Sequence, residues 1–212
     1  MLRRLIFAIP MMLILLPAQA AIASQSADTE SLLARLSMQA QDIQTIQSDF
    51  VQKKRLAIFN EVLVSKGRFA FQRPGNLLWE YLEPSRSGFI LRGKQGWQWD
   101  AATGRTKAFS TASSPEMEAV TGQIVAWTTF DLKWLRSRYN IEVASANPLV
   151  LRLSPTGQGV KKFLDHMLVQ FKSDTRAIHS IELYEADGDW TRITFTAPRL
   201  NETLEDKRFE AP

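Results

Sequence analysis

Few residues in this chain are placed to do covalent chemistry. Its two histidines, His166 and His179, lie in strand-like surroundings, outside any H-E-x-x-H spacing, and no cysteine completes a zinc set. No G-x-S-x-G elbow or S-x-x-K motif supplies an activated serine. The run GFILRGKQ, residues 88–95, fits the G-x-x-x-x-G-K part of a phosphate-binding loop. However, Gln95 stands where a Ser or Thr would hold magnesium, and Trp97-Gln98-Trp99 continues as strand, not helix. Glu80, Glu83 and Asp100 are scattered over strands and turns and read as solvated surface. Lys53-Lys54-Arg55 and Lys161-Lys162 are too short for a nucleic-acid patch; they read as solvated strand ends, with contact to anionic lipid or a partner as the lesser alternative. Asn201-Glu202-Thr203 has the form of a glycosylation acceptor and carries no weight. The expectation is no enzyme, no cofactor, no metal and no nucleic acid.

What the chain has in excess is apolar surface. The stretch FAFQRPGNLLWEYLEP, residues 69–84, reads as two strands joined by the turn Arg73-Pro74-Gly75-Asn76. An antiparallel sheet with one wet face needs only one apolar stripe per strand. Here Leu77, Trp79 and Tyr81 occupy one face while Leu78 and Leu82 occupy the other, so both faces need cover. Helices at 30–46 and 115–136 would supply one; a bound apolar ligand, a partner or plain core would supply the other. Periodicity leaves ordinary core and ligand wall both open.

The elements that position this hairpin follow from the pattern. Leu32, Leu36, Ile43 and Ile46 recur at helical spacing, with Asp28 or Thr29 placed to cap the start, the helix ending near Ile46 and a strand running from Phe50. Period-two stripes and close turns (Glu83-Pro84-Ser85, Gly93-Lys94-Gln95-Gly96, Thr103-Gly104) predict an antiparallel meander up to about residue 109. Ser114 followed by Pro115 and Glu116 starts a helix in which Val120, Ile124, Trp127, Phe130, Trp134 and Leu135 keep spacing, split at Gly122 or at Thr128-Thr129. Strands resume at 141–143, 149–153, 167–171, 178–184 and 190–196. No repeat or linker interrupts residues 24–212, which form one domain of sufficient length for a core.

The N-terminus is set apart. Arg3 and Arg4 precede an apolar stretch at 5–17, followed by Ala18-Gln19-Ala20 and Ala21-Ile22-Ala23. This order predicts a signal peptide over 1–23, cleaved after Ala20 or Ala23, and is too short for a spanning helix. Removing Arg3 and Arg4 from 26 basic residues leaves 24 against 22 acidic, a net charge of +2. That balance gives no electrostatic footprint for nucleic acid, and a cysteine-free exported chain fits the bacterial periplasm.

IQTIQSDFVQKKRL, SKGRFAFQRPGNLLWEYLEP and RGKQGWQWDA, taken in order, resemble the LolA family of periplasmic lipoprotein carriers. Phe50-Val51-Gln52, Gly67, Arg73-Pro74, Trp79, Pro84, Gly93-Lys94, Trp97, Trp99 and Asp100 carry the resemblance, with weaker echoes in LVLRLSPTGQGVKKF and the final FTAPRLNETLEDKRFEAP. The resemblance implies a mainly β fold with α: an incomplete, strongly curved antiparallel β-barrel covered by a helical lid, acting as a monomer. It implies a cavity for acyl chains, to which Phe69, Phe71, Leu77, Trp79, Tyr81, Trp97 and Trp99 are assigned as wall. Arg73, held extended before its proline, would latch lid backbone. An inner-membrane ABC transporter would load the carrier and an outer-membrane receptor unload it. Leu77 stands where the family has phenylalanine and the middle segment matches loosely. Lipoprotein, a glycolipid or polyene-type amphiphile, and a protein partner of an envelope sensor or assembly module therefore remain alternative cargoes or partners.

Overall fold

The computed structural model describes residues 18–59 and 61–210, with side chains from residue 28 onward. The apolar part of the expected signal peptide, 5–17, lies outside the described residues. Helix α1 (Ala18–Gln41) is followed by β1 (Thr45–Leu56), β2 (Glu61–Gln72), β3 (Asn76–Glu83), β4 (Ser87–Arg92), β5 (Gln95–Asp100) and β6 (Arg105–Ser110). Helices α2 (Pro115–Thr129) and α3 (Leu132–Arg138) come next. Then follow β7 (Tyr139–Ala146), β8 (Leu149–Pro155), the short α4 (Gln158–Lys161), β9 (Leu164–Phe171), β10 (Ile178–Glu185), β11 (Trp190–Leu200) and a 3-10 turn at Asp206–Phe209. No helix among the described residues is long and apolar enough to cross a membrane.

The eleven strands among the described residues form one antiparallel sheet in the order β6-β5-β4-β3-β2-β1-β11-β10-β9-β8-β7. The first and last strands of that order do not pair, so the barrel is incomplete. The two meanders meet where β1 pairs with β11 from Ile46↔Leu200 to Arg55↔Trp190. The segment joining edge strand β6 to edge strand β7 is α2–α3, which lies with α1 over the concave face as a lid.

Local chemistry accounts for these boundaries. Ser114 occupies the N-cap of α2 with proline in the first turn, as the sequence predicts. The split falls just after Thr128-Thr129: Phe130 adopts φ 44°, and the Asp131 side chain accepts from the Trp134 N–H to start α3. Helix α1 departs from expectation at both ends. Asp28 and Thr29 lie inside it, and it stops at Gln41. Ile43 and Ile46 fit helical spacing, but Ile46 belongs to central strand β1, paired with Phe71 on one side and Leu200 on the other. Two flanking strands outweigh a local period.

The sheet buries apolar residues on both faces. Concave residues Phe50, Phe69, Phe71, Leu77, Trp79, Leu91, Phe109 and Ile193 form one cluster beneath α2. Over the second meander, Leu33, Leu36 and Ala40 of α1 join Ala126, Phe130 and Leu135 against Leu151, Leu153, Met167 and Val169. On the convex face Ala70, Leu78 and Ile90 are covered by Leu204 and Phe209. The second cover that the hairpin requires is thus the chain's own C-terminal segment. Gly67 serves the concave side: a Cβ there would stand 2.4 Å from the Phe50 ring and 2.2 Å from the Glu80 carbonyl oxygen, so the ring lies where a side chain would be.

Candidate functional site

The site is built on the aromatic face of β1–β3 and β11. Phe50 and Trp79 have ring centroids 4.6 Å apart, Phe69 and Trp79 5.8 Å, Phe69 and Phe195 5.9 Å, and Trp79 and Phe195 6.3 Å. Tilted and edge-on contacts at these separations interlock the rings. Above them stand Leu36 and Ala40 of α1, Ile43, and Ile124, Trp127 and Phe130 of α2 and its cap. The layers do not quite meet, leaving a mainly apolar cavity of about 60 Å³ that also takes in Ser48, Thr128, Thr175 and Arg176. A smaller hollow of about 10 Å³ continues toward β7–β9, sharing Trp127, Phe130 and Ile178. Trp127 lines both, and its indole N–H is buried without a hydrogen-bond partner.

The end of α1 is tied down from two directions. Arg73, in the β2–β3 turn, donates from Nε to the Ile43 carbonyl (2.8 Å) and from its guanidinium to the Ala40 carbonyl (2.9 Å). Its backbone N–H donates to the Gln44 carbonyl at 2.9 Å. A cation on the last carbonyls of a helix satisfies orphan acceptors and complements the helix dipole. Asn201, just beyond β11, donates from Nδ2 to the Asp42 carbonyl (3.0 Å), and its Oδ1 accepts from the Gln44 N–H (2.7 Å). Sequence reasoning passed over Asn201 for this role. Its left-handed φ of 59°, which asparagine tolerates better than most residues, has no reliable sequence mark.

At the rim, the Tyr81 hydroxyl donates to Gln52 Oε1 at 2.8 Å, and burial holds its phenol above the ordinary value. Tyr139 is raised by burial too, its hydroxyl accepting from Gln123 Nε2 at 3.0 Å.

The residues expected to form the wall divide three ways. Phe69 and Trp79 line the cavity. Phe71 and Leu77 are fully buried beneath it, and Tyr81 is half-buried beside Phe50. Trp97 and Trp99 are a correction. Trp97 pairs with Ile90 and Trp99 with Gly88, which puts both on the convex side, and Trp99 packs with the Leu204–Phe209 cluster. Their period was right, but the face was not. His166 Nδ1 hydrogen-bonds the Asp165 carboxylate at 2.6 Å, and the ring stacks on Tyr184, with ring centroids 4.5 Å apart. Residues 88–95 form β4, its turn and the start of β5, with strand on both sides of Lys94.

The family model for the outer membrane lipoprotein carrier protein LolA matches residues 41–212. An outer-membrane lipoprotein carrier protein of Methylococcus capsulatus is 25% identical over 192 residues, covering 89% of this chain and 86% of that one. One of Idiomarina loihiensis is 24% identical over 171 residues, covering 78% and 76%. Among solved structures, an uncharacterized conserved protein from Thermus thermophilus superposes with a TM-score of 0.55 at 8% identity, over 87% of this chain and 94% of that one. The Pseudomonas aeruginosa MucA/MucB complex gives a TM-score of 0.50 at 15% identity, over 87% of this chain and 61% of that one. At these identities the structural likenesses speak for the fold alone.

Proposed function

Since the chain belongs to the LolA family of outer membrane lipoprotein carrier proteins, we propose that it is a periplasmic carrier. It would shelter the acyl chains of lipoproteins between its aromatic sheet face and its helices during passage from inner to outer membrane. Phe69, Trp79 and Phe195 would contact the chains, Phe71 and Leu77 support that wall, and Arg73 latches the lid. The observation that carries the reading is the apolar cavity roofed by a helix whose end is held by a few hydrogen bonds to its backbone.

Magnitudes set how it would work. An apolar cavity of about 150 Å³ accommodates one benzene, so the closed cavity of about 60 Å³ is too small for an acyl chain. Loading therefore requires the lid to lift and expose the aromatic face. Burying about 15 methylenes contributes roughly 12 kcal/mol, which the membrane already provides to the same chain, so the opened face must offer comparable apolar surface. A latch of hydrogen bonds contributing about 1 kcal/mol each favours the closed, empty form without trapping it, which suits release without nucleotide. The reading assigns the chain no reaction. An inner-membrane ABC transporter and an outer-membrane receptor would be its loading and unloading partners.

Organic extraction and mass spectrometry of the protein purified from its own host provide the test. Acylated polypeptide is expected. A glycolipid or polyene lipid instead would keep the carrier and change the cargo. Empty protein that binds no fatty-acyl probe would refute the reading. A stable protein partner without lipid would favour an envelope sensor or assembly module instead.

A further inference from the structure

The end of the sheet remote from Arg73 carries apolar side chains that neither core nor cavity uses. Two protrusions there share a make-up. The β1–β2 hairpin exposes Ile58 (85%) and Phe59 (66%) at its tip, above Lys53, Lys54 and Arg55. The β8–β9 connection exposes Phe163 (75%) directly after Lys161 and Lys162. The β10–β11 turn stitches them together: the Ala186 N–H donates to the Phe163 carbonyl at 3.0 Å, and the Ala57 N–H donates to Asp189 Oδ1 at 2.7 Å.

We propose that this end is a docking face for an anionic bilayer surface, with Ile58, Phe59 and Phe163 entering the headgroup–acyl boundary and Lys161 and Lys162 meeting lipid phosphates. The distribution of the apolar residues favours lipid over a protein. Beyond Lys66↔Glu83, β2 has β1 on one side and no strand on the other. Its consecutive Val62, Leu63 and Val64 point alternately to opposite faces, and each remains about half exposed. A protein partner covers one face of such a ribbon, whereas a fluid interface covers its tip and both sides.

Depth agrees. Arg55 and Val62, paired across the ribbon, lie three or four residues from the tip, or about 10 Å at ~3.3 Å per residue. Interfacial segments enter by about 5–10 Å, so Val62 and Leu63 lie in the headgroup layer beside the cations, where water still reaches the open backbone edge of β2. Of the acids on the intervening turn, Glu185 pairs with Lys54 at 3.1 Å, while Asp187 and Asp189 accept backbone N–H groups; Lys53, Arg55, Lys161 and Lys162 stand against these two and exposed Glu61.

The inference does not depend on the cargo. Co-sedimentation of the mature chain, residues 24–212, with phosphatidylcholine vesicles, with and without phosphatidylglycerol, tests it. Binding to the anionic vesicles is expected, weakening with salt. It should fall at least tenfold in Ile58→Ser/Phe59→Ser/Phe163→Ser and up to about thirtyfold in Lys161→Gln/Lys162→Gln. Exposed Met38→Ser, on α1, serves as a control that should bind like the parent. The proposal is overturned if the parent binds neither vesicle, if the triple variant binds as well as the parent, or if binding ignores lipid charge. A soluble oligomer that dissociates in the triple variant would overturn it too, since the patch would then be a protein interface.

Discussion

Replacing Arg73 with leucine isolates the latch. The substitution removes the two guanidinium bonds to the Ala40 and Ile43 carbonyls and leaves the backbone bond to Gln44 in place. At about 1 kcal/mol net for each bond at a half-buried site, the closed form loses roughly 2 kcal/mol. The lid does not fall off, because Leu33 and Leu36 stay buried beneath α1 and contribute about 1.5–3 kcal/mol each. The loss acts instead on a population. If the acyl-bound form lacks these bonds, binding no longer has to break them, and apparent affinity for an acyl probe rises about thirtyfold. The variant should grip cargo more tightly and release it less readily. Hydrogen exchange in the segment 41–44 should quicken by a similar factor, and the melting temperature should drop by about 4–8 °C. Arg73→Lys, which keeps the charge but not the planar fork, should fall between. Unchanged affinity together with unchanged exchange would refute the latch, because the bonds would then persist in every state or contribute nothing.

Phe209→Ala opens a void under the convex cover, where Phe209 is fully buried. A loss of about 3–5 kcal/mol should appear in thermal melts as a fall of roughly 10 °C, with acyl affinity unchanged. Tyr81 and Tyr139 titrate above their ordinary 10.0 because burial disfavours the phenolate. The folded state therefore holds its protons longer than the unfolded one. The stability this contributes is complete below about pH 10 and is lost as pH rises through the elevated folded values. Melts recorded from about pH 9 upward should show the decline, and Tyr81→Phe/Tyr139→Phe should flatten it.

Much of this architecture was legible in the sequence because turn chemistry and period two agree from Gly67 to Asp100. The Arg-Pro-Gly-Asn turn, the two apolar faces of Leu77–Leu82 and the proline-started helix at 115 all fall where local rules put them. What local rules omit is direction. Trp97 and Trp99 have the same alternation whichever face they take, and only the pairing with Gly88 and Ile90 decides it. Ile46 fits helix as well as strand until β2 and β11 flank it. Leu204 and Phe209 stand alone in a polar stretch, too sparse to show any period, although they supply the cover that the hairpin's second face demands. Arg73 was found through resemblance; Asn201, its counterpart across β1, carried only a glycosylation-like pattern.

Because α2–α3 is the covalent bridge between β6 and β7, the seam of the barrel and this part of its roof are one piece of chain. Widening the gap between the two outermost strands pulls directly on α2 and α3, and lifting them draws the strands. A guest admitted beneath them would strain the seam as well, so this half of the cover could travel only as far as that span allows, whereas α1, joined to β1, is no part of it.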